Sequence, residues 1–281
     1  MCPLPAINYL LVGHVALDLD DSQARLGGTV SYAGLTAQHL GCQVGIVTRC
    51  RPDLDCSALD AMTGFHRLDS QITTTFENRY VSGQRQQLAH QVSEPISLDD
   101  IPKQWHNADI VHLAPIMDEL DPSLIGELHA RFKGVTAQGW LRKREDGDQV
   151  HISDWTKLKP YLPDADAVIV SQEDLNGDLD QASQMARFCR LVVVTQGESG
   201  AMIYWCGRRK QFPAPSAKQR DPTGAGDIFA AVFFTQMAGG STAWEAAEYA
   251  NKIAADSVER QGLESVPSTA HLRAIDKGKQ P

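Results

Sequence analysis

Five short apolar runs, at positions 7–13, 42–48, 109–114, 167–171 and 191–195, restrict what this chain can become. Runs this rich in Val, Ile and Leu suit strands buried on both faces, the usual state of a parallel sheet. Parallel neighbours need a return connection of a dozen or more residues, most often a helix. Helical spacing appears between the runs at 30–40 and 122–132. The second of these opens on Asp121 and Pro122, an acidic cap with proline in the first turn. The sequence predicts an α/β chain with a mostly parallel sheet between two helical layers.

One segment departs from that rhythm. Residues 71–97 are rich in β-formers with polar alternation, and Ser82–Gly83 reads as a hairpin turn. Strands joined by a tight turn pair antiparallel, so this piece stands apart from the parallel sheet. It is either a β-flap over one end of the main body or an edge hairpin without a role. Further on, residues 227–237 are almost wholly apolar, which predicts a helix buried on nearly every side. Gly239 and Gly240 stop it. Ser241 or Thr242 then caps a second helix through Trp244, Ala247, Ala250, Ile253 and Val258, with Gly262 as its terminator.

Composition narrows the function. With 42% hydrophobic residues the chain can build a sizeable core, and 26 Lys+Arg against 35 Asp+Glu leave a formal charge of −9. Neither nucleic acid nor a membrane surface is an expected partner, because both demand clustered cations. No apolar stretch approaches the ~20 residues of a membrane span, and the opening residues lack the basic start of a signal peptide. A cytoplasmic protein is expected. Six cysteines without a C-x-x-C pair point to free thiols. The nine histidines form no ligand pattern, and neither a P-loop nor a G-x-G-x-x-G motif is present.

The chemistry concentrates in Asp221-Pro222-Thr223-Gly224-Ala225-Gly226-Asp227, which runs directly into the buried helix. Glycines there let the backbone turn tightly with its amides uncovered, and a helix mouth adds unpaired N–H donors that suit an anion. Asp227 at that mouth is either a plain helix cap or a base beside a bound phosphate, removing the proton from an attacking hydroxyl.

This stretch resembles the C-terminal signature of the ribokinase-like (PfkB) carbohydrate kinases, and the resemblance extends along nearly the whole chain. The run from Val12 to Asp18 looks like the first family strand with its substrate-binding Asp. Gly27 and Gly28 look like the diglycine substrate loop, and the run Thr195 to Gly200 looks like the turn that borders ATP. The resemblance implies a single ribokinase-like three-layer α/β/α domain over 1–281, with a small β-lid formed mainly by 71–98 and a contribution from about 14–30.

The same resemblance assigns roles. Asp227 is the catalytic base, and Gly224, Ala225 and Gly226 form the anion hole. Asp18, Gly27, Gly28, Asn78 and Arg142 contact substrate. Thr195, Gly197, Thr223 and Asn251 lie beside ATP, and Asp174 organises Mg²⁺ through water; a monovalent cation is a further candidate cofactor. Two departures are visible. Family members usually carry Asn-x-x-Glu where this chain has Ser171-Gln172-Glu173-Asp174, and the usual Asn after the diglycine is Tyr32. The lid run Thr75 to Asn78 and the stretch Gln138 to Arg142 resemble the branch that includes myo-inositol kinases. Arg142 is there a contact for phosphate or substrate, or else one surface cation of the run Arg142-Lys143-Arg144.

The function so implied is ATP-dependent phosphorylation of a hydroxyl on a small sugar or polyol, inositol-like. A nucleoside kinase and a non-catalytic sugar-binding relative are the alternatives. An exposed lid edge invites a homodimer through paired lids.

Overall fold

A computed structural model describes residues 4–19, 23–81 and 84–277. In chain order the first elements are β1 (Tyr9–Val12), β2 (Ala16–Leu19), β3 (Ala24–Gly27), α1 (Thr29–His39), β4 (Val44–Cys50) and β5 (Gly64–Asp69). Next come β6 (Thr74–Val81), β7 (Gln84–Gln91), β8 (Ile110–Leu113), α2 (Leu124–Glu127), β9 (Phe132–Thr136), β10 (Arg142–Arg144) and β11 (Val150–Ile152). The last are β12 (Ala167–Ser171), α3 (Leu179–Met185), β13 (Leu191–Thr195), β14 (Ala201–Trp205), β15 (Arg208–Phe212), α4 (Ala225–Ala238), α5 (Ala243–Ser257) and α6 (Thr269–Asp276).

The main sheet has nine strands in the order β15-β14-β13-β12-β9-β8-β1-β4-β5. From β13 to β5 every neighbouring pair is parallel, and at the other edge β14 runs antiparallel to both β13 and β15. All five predicted apolar runs are strands of this sheet. Apolar side chains leave it on both faces. One face packs under α1, α4 and α5, with Ile46, Phe132, Phe229 and Phe233 among its buried residues. The other carries Trp105, Trp140, Trp155 and α3. This is the expected three-layer arrangement. No helix among the described residues is long and apolar enough to cross a membrane.

Strand order reverses beside β1. From β1 the sheet grows through β4 and β5 in one direction, and through β8, β9, β12 and β13 in the other. The chain leaves β1 and β8 on opposite courses and opens a crevice at their carboxyl ends. Glu119, only 2% exposed, closes the floor of that crevice. Its carboxylate accepts the amides of His14 (3.1 Å), Ile116 (2.9 Å) and Met117 (2.7 Å), tying the exit of β1 to the exit of β8.

A second sheet, in the order β3-β2-β6-β7, stands over this end. It contains both segments expected to form a lid; the predicted turn at Ser82–Gly83 lies outside the described residues. His14 pins the sheet at its root. Its ring contacts Thr74 Oγ1 (2.8 Å), where β6 begins, and the Glu94 carbonyl (3.0 Å), just beyond β7.

The helix expected over 30–40 is α1, and the one expected over 227–237 is α4, whose residues Ile228 to Phe234 are all buried. Helix α5 is capped as read: Thr242 accepts the Glu245 amide (3.3 Å) and Glu245 returns to the Thr242 amide (2.9 Å). Two expectations fail. The segment 122–132 is not one helix: α2 spans only Leu124–Glu127 before the chain extends at Leu128 and enters β9. Lys133 and Gly134 disguise that strand. Lys133 leaves the core by donating its Nζ to the Ile125 carbonyl (2.8 Å), while Gly134 makes room for the Phe234 ring. Gly262 does not end α5, which stops at Ser257; it opens a short turn over Gly262–Ser265 instead.

Candidate functional site

One cavity of about 720 Å³ runs from beneath the lid sheet, past the mouth of α4, to the flank of α5. That volume lies within the usual range of small-molecule sites, about 300–1,000 Å³. Its central wall is the turn that enters α4. Arg220 and Asp221 donate their amides to the Val258 carbonyl (2.8 and 3.0 Å), which fastens the turn to the end of α5. Asp221 then organises both sides, accepting the amides of Thr223 (2.9 Å) and Gly262 (3.1 Å). Gly224 is the N-cap, at φ +80°. A side chain there would be strained by that angle and would also drive its Cβ to 2.2 Å from the Tyr32 ring, so only glycine serves.

Residues Ala225 to Asp227 form the first turn of α4, where backbone amides have no carbonyl four residues earlier in the helix. The Ala225 amide turns back onto the Pro222 carbonyl (3.2 Å). The Gly226 and Asp227 amides therefore face an incoming anion more directly than that of Ala225, in a place where the helix dipole favours negative charge.

Asp227 lines the cavity from the same turn. Thr29 Oγ1 donates to its Oδ1 at 2.8 Å, which orients the carboxyl group. Burial pushes the Asp227 pKa from the ordinary 3.8 up to about 6, opposed by the Thr29 hydrogen bond. The charge of Asp18 raises it, Arg142 lowers it and Asp174 raises it. A carboxyl tuned towards neutrality in a cleft is what a general base requires, and a plain helix cap gains nothing from it.

The lid supplies the roof. Pairing of Asp18 with Arg25, Phe76 with Ala89 and Asn78 with Gln87 places Asp18, Phe76, Asn78 and Gln87 on the inner face. All four reach the cavity. Gln87 Nε2 donates to Asn78 Oδ1 (3.2 Å), a cross-strand amide pair on the face that roofs the cavity. Ile116 and Tyr32 add apolar wall. Gly27 is not in the wall; it lies directly behind Asp18, where a Cβ would come within 2.0 Å of Asp18 Oδ2.

The opposite end is lined by Thr195, Gly197, Pro215, Ala254, Ala255 and Val258. Asn251 lines it too, but its Nδ2 donates to the Phe212 carbonyl (2.9 Å), so the amide also ties α5 to the end of β15.

Arg142 and Asp174 resolve one alternative and alter another. Lys143 pairs with Glu145 (2.5 Å) and Arg144 with Asp148 on the surface. Arg142 instead turns inward, its side chain only 12% exposed, and meets Asp174 Oδ1 at 3.5 Å. Asp174 is buried behind it and accepts from the Ser171 amide (2.9 Å) and hydroxyl (2.7 Å). The acidic side chain of this motif that lines the cavity is Glu173.

Twelve of the fourteen residues singled out from the sequence therefore line one cavity, with Gly27 and Asp174 immediately behind it. Sequence reading missed Gln87, Phe76, Ile116 and Glu173. For Gln87 the signal was the two-residue alternation of the lid, usable only once the pairing register is known. For Ile116 there was none, because it reaches the site through the loop held by Glu119.

Comparison with known proteins agrees with this geometry. Residues 74–270 match the family described as pfkB family carbohydrate kinase. A cytidine kinase of Thermococcus kodakarensis is 22% identical over 81% of this chain and 87% of its own length. An inositol 3-kinase of Oryza sativa subsp. japonica is 39% identical over 26% of this chain, a stretch covering 18% of that enzyme. Among solved structures, a pyrophosphate-dependent kinase in the ribokinase family, complexed with a pyrophosphate analog and myo-inositol, superposes with a TM-score of 0.79. It is 22% identical, over 92% of this chain and 98% of its own, a likeness of fold. With the family matched across most of the chain, this protein belongs to the PfkB carbohydrate kinases, phosphotransferases whose acceptor is a hydroxyl group.

Proposed function

We propose that this kinase transfers the γ-phosphoryl group of ATP to a hydroxyl of a small cyclic polyol of the inositol type. The carrying observation is the position of Asp227, a carboxyl raised towards neutrality between a polar roof and an amide-lined turn. The acceptor fits under the lid, with hydroxyls meeting Asp18, Asn78 and Gln87 and its C–H face on Phe76 and Ile116. The donor's phosphates fit at the mouth of α4, and the apolar end at Pro215, Ala254, Ala255 and Val258 gives a base somewhere to lie. Pyrophosphate would leave that end empty.

The division of labour follows. Asp227 accepts the proton of the attacking hydroxyl, its Oδ1 held by Thr29. The Gly226 and Asp227 amides take up charge on the transferring group, and Arg142, steadied by Asp174, adds a fixed cation. The oxygen donors in the wall suit Mg²⁺, which takes most of its ligands from phosphate and water; Glu173 would hold it through water. Bound there, the ion would neutralise phosphate charge. Closure of the lid sheet keeps water from competing with the polyol.

Product formation tests this reading, with polyols, hexoses and nucleosides as acceptors: ADP and phosphorylated acceptor with ATP as donor, orthophosphate and phosphorylated acceptor with pyrophosphate. Turnover with myo-inositol or a close polyol and ATP is expected. Turnover confined to nucleosides, the acceptor class of the cytidine kinase relative, would replace the acceptor assignment. Sugar binding without any phosphorylated acceptor from either donor would overturn catalysis itself.

A further inference from the structure

A β-bulge interrupts the ladder of the lid. Thr75 pairs with Gln91 and Phe76 with Ala89, which leaves His90 as the extra residue of β7. A bulge bends its strand and re-aims a side chain. Here the His90 ring lies between two carboxylates, with Nε2 2.8 Å from Glu77 Oε2 and Nδ1 3.2 Å from Asp148 Oδ2. Glu77 belongs to β6 of the lid, whereas Asp148 lies outside the lid sheet, in the turn between β10 and β11. We propose that His90 is a positioning residue: as the imidazolium it fastens the lid to the β10–β11 hairpin, which sets Arg142 in the cavity wall.

The hairpin is already docked where the fastening acts. Gly147 and Asp148 both take left-handed backbone (φ +79° and +67°), a tight turn that brings the hairpin up to the lid. Past the turn, Gln149 forms an antiparallel bridge with Leu88 of β7. Val150 then packs against the small cluster of Ala16, Phe76, Ala89, Ile116 and Met117. In β6 Glu77 lies between Phe76 and Asn78, and neighbours along a strand face opposite ways. A tether on Glu77 from outside therefore sets how deeply Phe76 and Asn78 reach into the cavity they line.

Charge alternates along this network. Arg79 pairs with Glu77 (2.6 Å), and Arg144 pairs with Asp148. Arg79 first, then His90, holds the Glu77 carboxyl below its usual range; Arg144 first, then His90, does the same for Asp148. On the same hairpin, Lys143 and His151 both pair with Glu145 (2.5 and 3.6 Å). With a carboxylate oxygen at each ring nitrogen, only the imidazolium donates to both. The neutral ring keeps one N–H and turns a lone pair towards the other carboxylate, which loosens one end. The fastening is complete while His90 is protonated and is lost as pH rises through its titration.

The three side chains are a quarter to a third exposed, so the effect is that of a surface ion pair, about a 2–5-fold change in an equilibrium. A loosened lid should raise the acceptor KM by that factor and leave the donor KM alone, because the donor's phosphates sit at the mouth of α4 and not under the lid. That consequence rests on the proposed function; the fastening does not.

Amide hydrogen exchange read by mass spectrometry measures the fastening without turnover. At pH 5.5 the β7 amides should exchange about 2–5-fold faster in His90→Gln than in wild type, and Asp148→Asn should match it. The two substitutions together should add little to either one. At pH 8.5 wild type should already exchange like His90→Gln; comparison at equal pH cancels the intrinsic pH dependence of exchange. In initial-rate kinetics with myo-inositol and ATP at pH 5.5, the acceptor KM of His90→Gln should lie about 2–5-fold above wild type. Equal exchange in wild type and both variants at pH 5.5, or a difference that persists unchanged at pH 8.5, overturns the fastening. The expected exchange with an unmoved acceptor KM overturns the positioning role. The expected exchange without turnover of any polyol strikes the acceptor assignment and leaves the fastening standing.

Discussion

Replacing Asp227 with Asn should slow the enzyme and stabilise the fold at once. Its carboxyl moves from an ordinary pKa of 3.8 to about 6, so ionising it in the folded chain costs more than in the unfolded one. At 1.36 kcal/mol per pH unit the difference is about 3 kcal/mol at neutral pH. Solvent in the cavity screens part of this, and losing the charged acceptor for Thr29 takes back about 1 kcal/mol, which leaves a net gain of about 1–2 kcal/mol. For a chain of this size that raises Tm by a few degrees. The sign has a pH signature. A raised folded-state pKa contributes stability that is full below pH 4 and lost as pH climbs through about 6. Wild type and Asp227→Asn should thus diverge between pH 4 and 6 and run parallel above it. Turnover should fall at least ~10²-fold, the low end for a missing general base. Wild-type kcat/KM should rise with pH through about 6, a limb that the variant lacks. Thermal unfolding across pH 4–8 and an ADP-release assay read both quantities. An active variant, or one destabilised equally at every pH, refutes the reasoning.

Three further outcomes follow from the wall of the cavity. Gln87→Ala should raise the acceptor KM about 2–10-fold, the range for one lost hydrogen bond, and leave the donor KM unchanged in initial-rate kinetics. Arg142→Met should abolish most turnover and destabilise the fold by up to about 3–5 kcal/mol, because Asp174 loses its cation; adding Asp174→Asn should restore stability in denaturant melts without restoring activity. Gly224→Ala should cost at least about 1–3 kcal/mol from backbone strain alone, and more through overlap with Tyr32, so chemical denaturation should show a clear loss.

Much of the site could be read from the residues because its chemistry is local. The turn before α4, its glycines and Asp227 follow one another along seven positions, and a helix mouth acts on what lies next to it in sequence. Arg142 was different. The run Arg142-Lys143-Arg144 contains three similar cations, and only the buried Asp174 beside Arg142 decides which one turns inward. Asp174 and Glu173 show the same limit in reverse: one position decides whether a carboxylate is spent on Ser171 and Arg142 or reaches the cavity.

What the residues alone determined was the class of fold and the cradle for an anion, since apolar periodicity and glycine-turn chemistry act over a few neighbouring positions. Tertiary structure decided the rest. It admitted β9 despite Lys133, paired Asn78 with Gln87, and used Glu119 to bind the ends of β1 and β8 across 105 positions of sequence. Burial raised Asp227 towards neutrality. Each of these depends on desolvation or on partners distant in the chain, which no local pattern encodes.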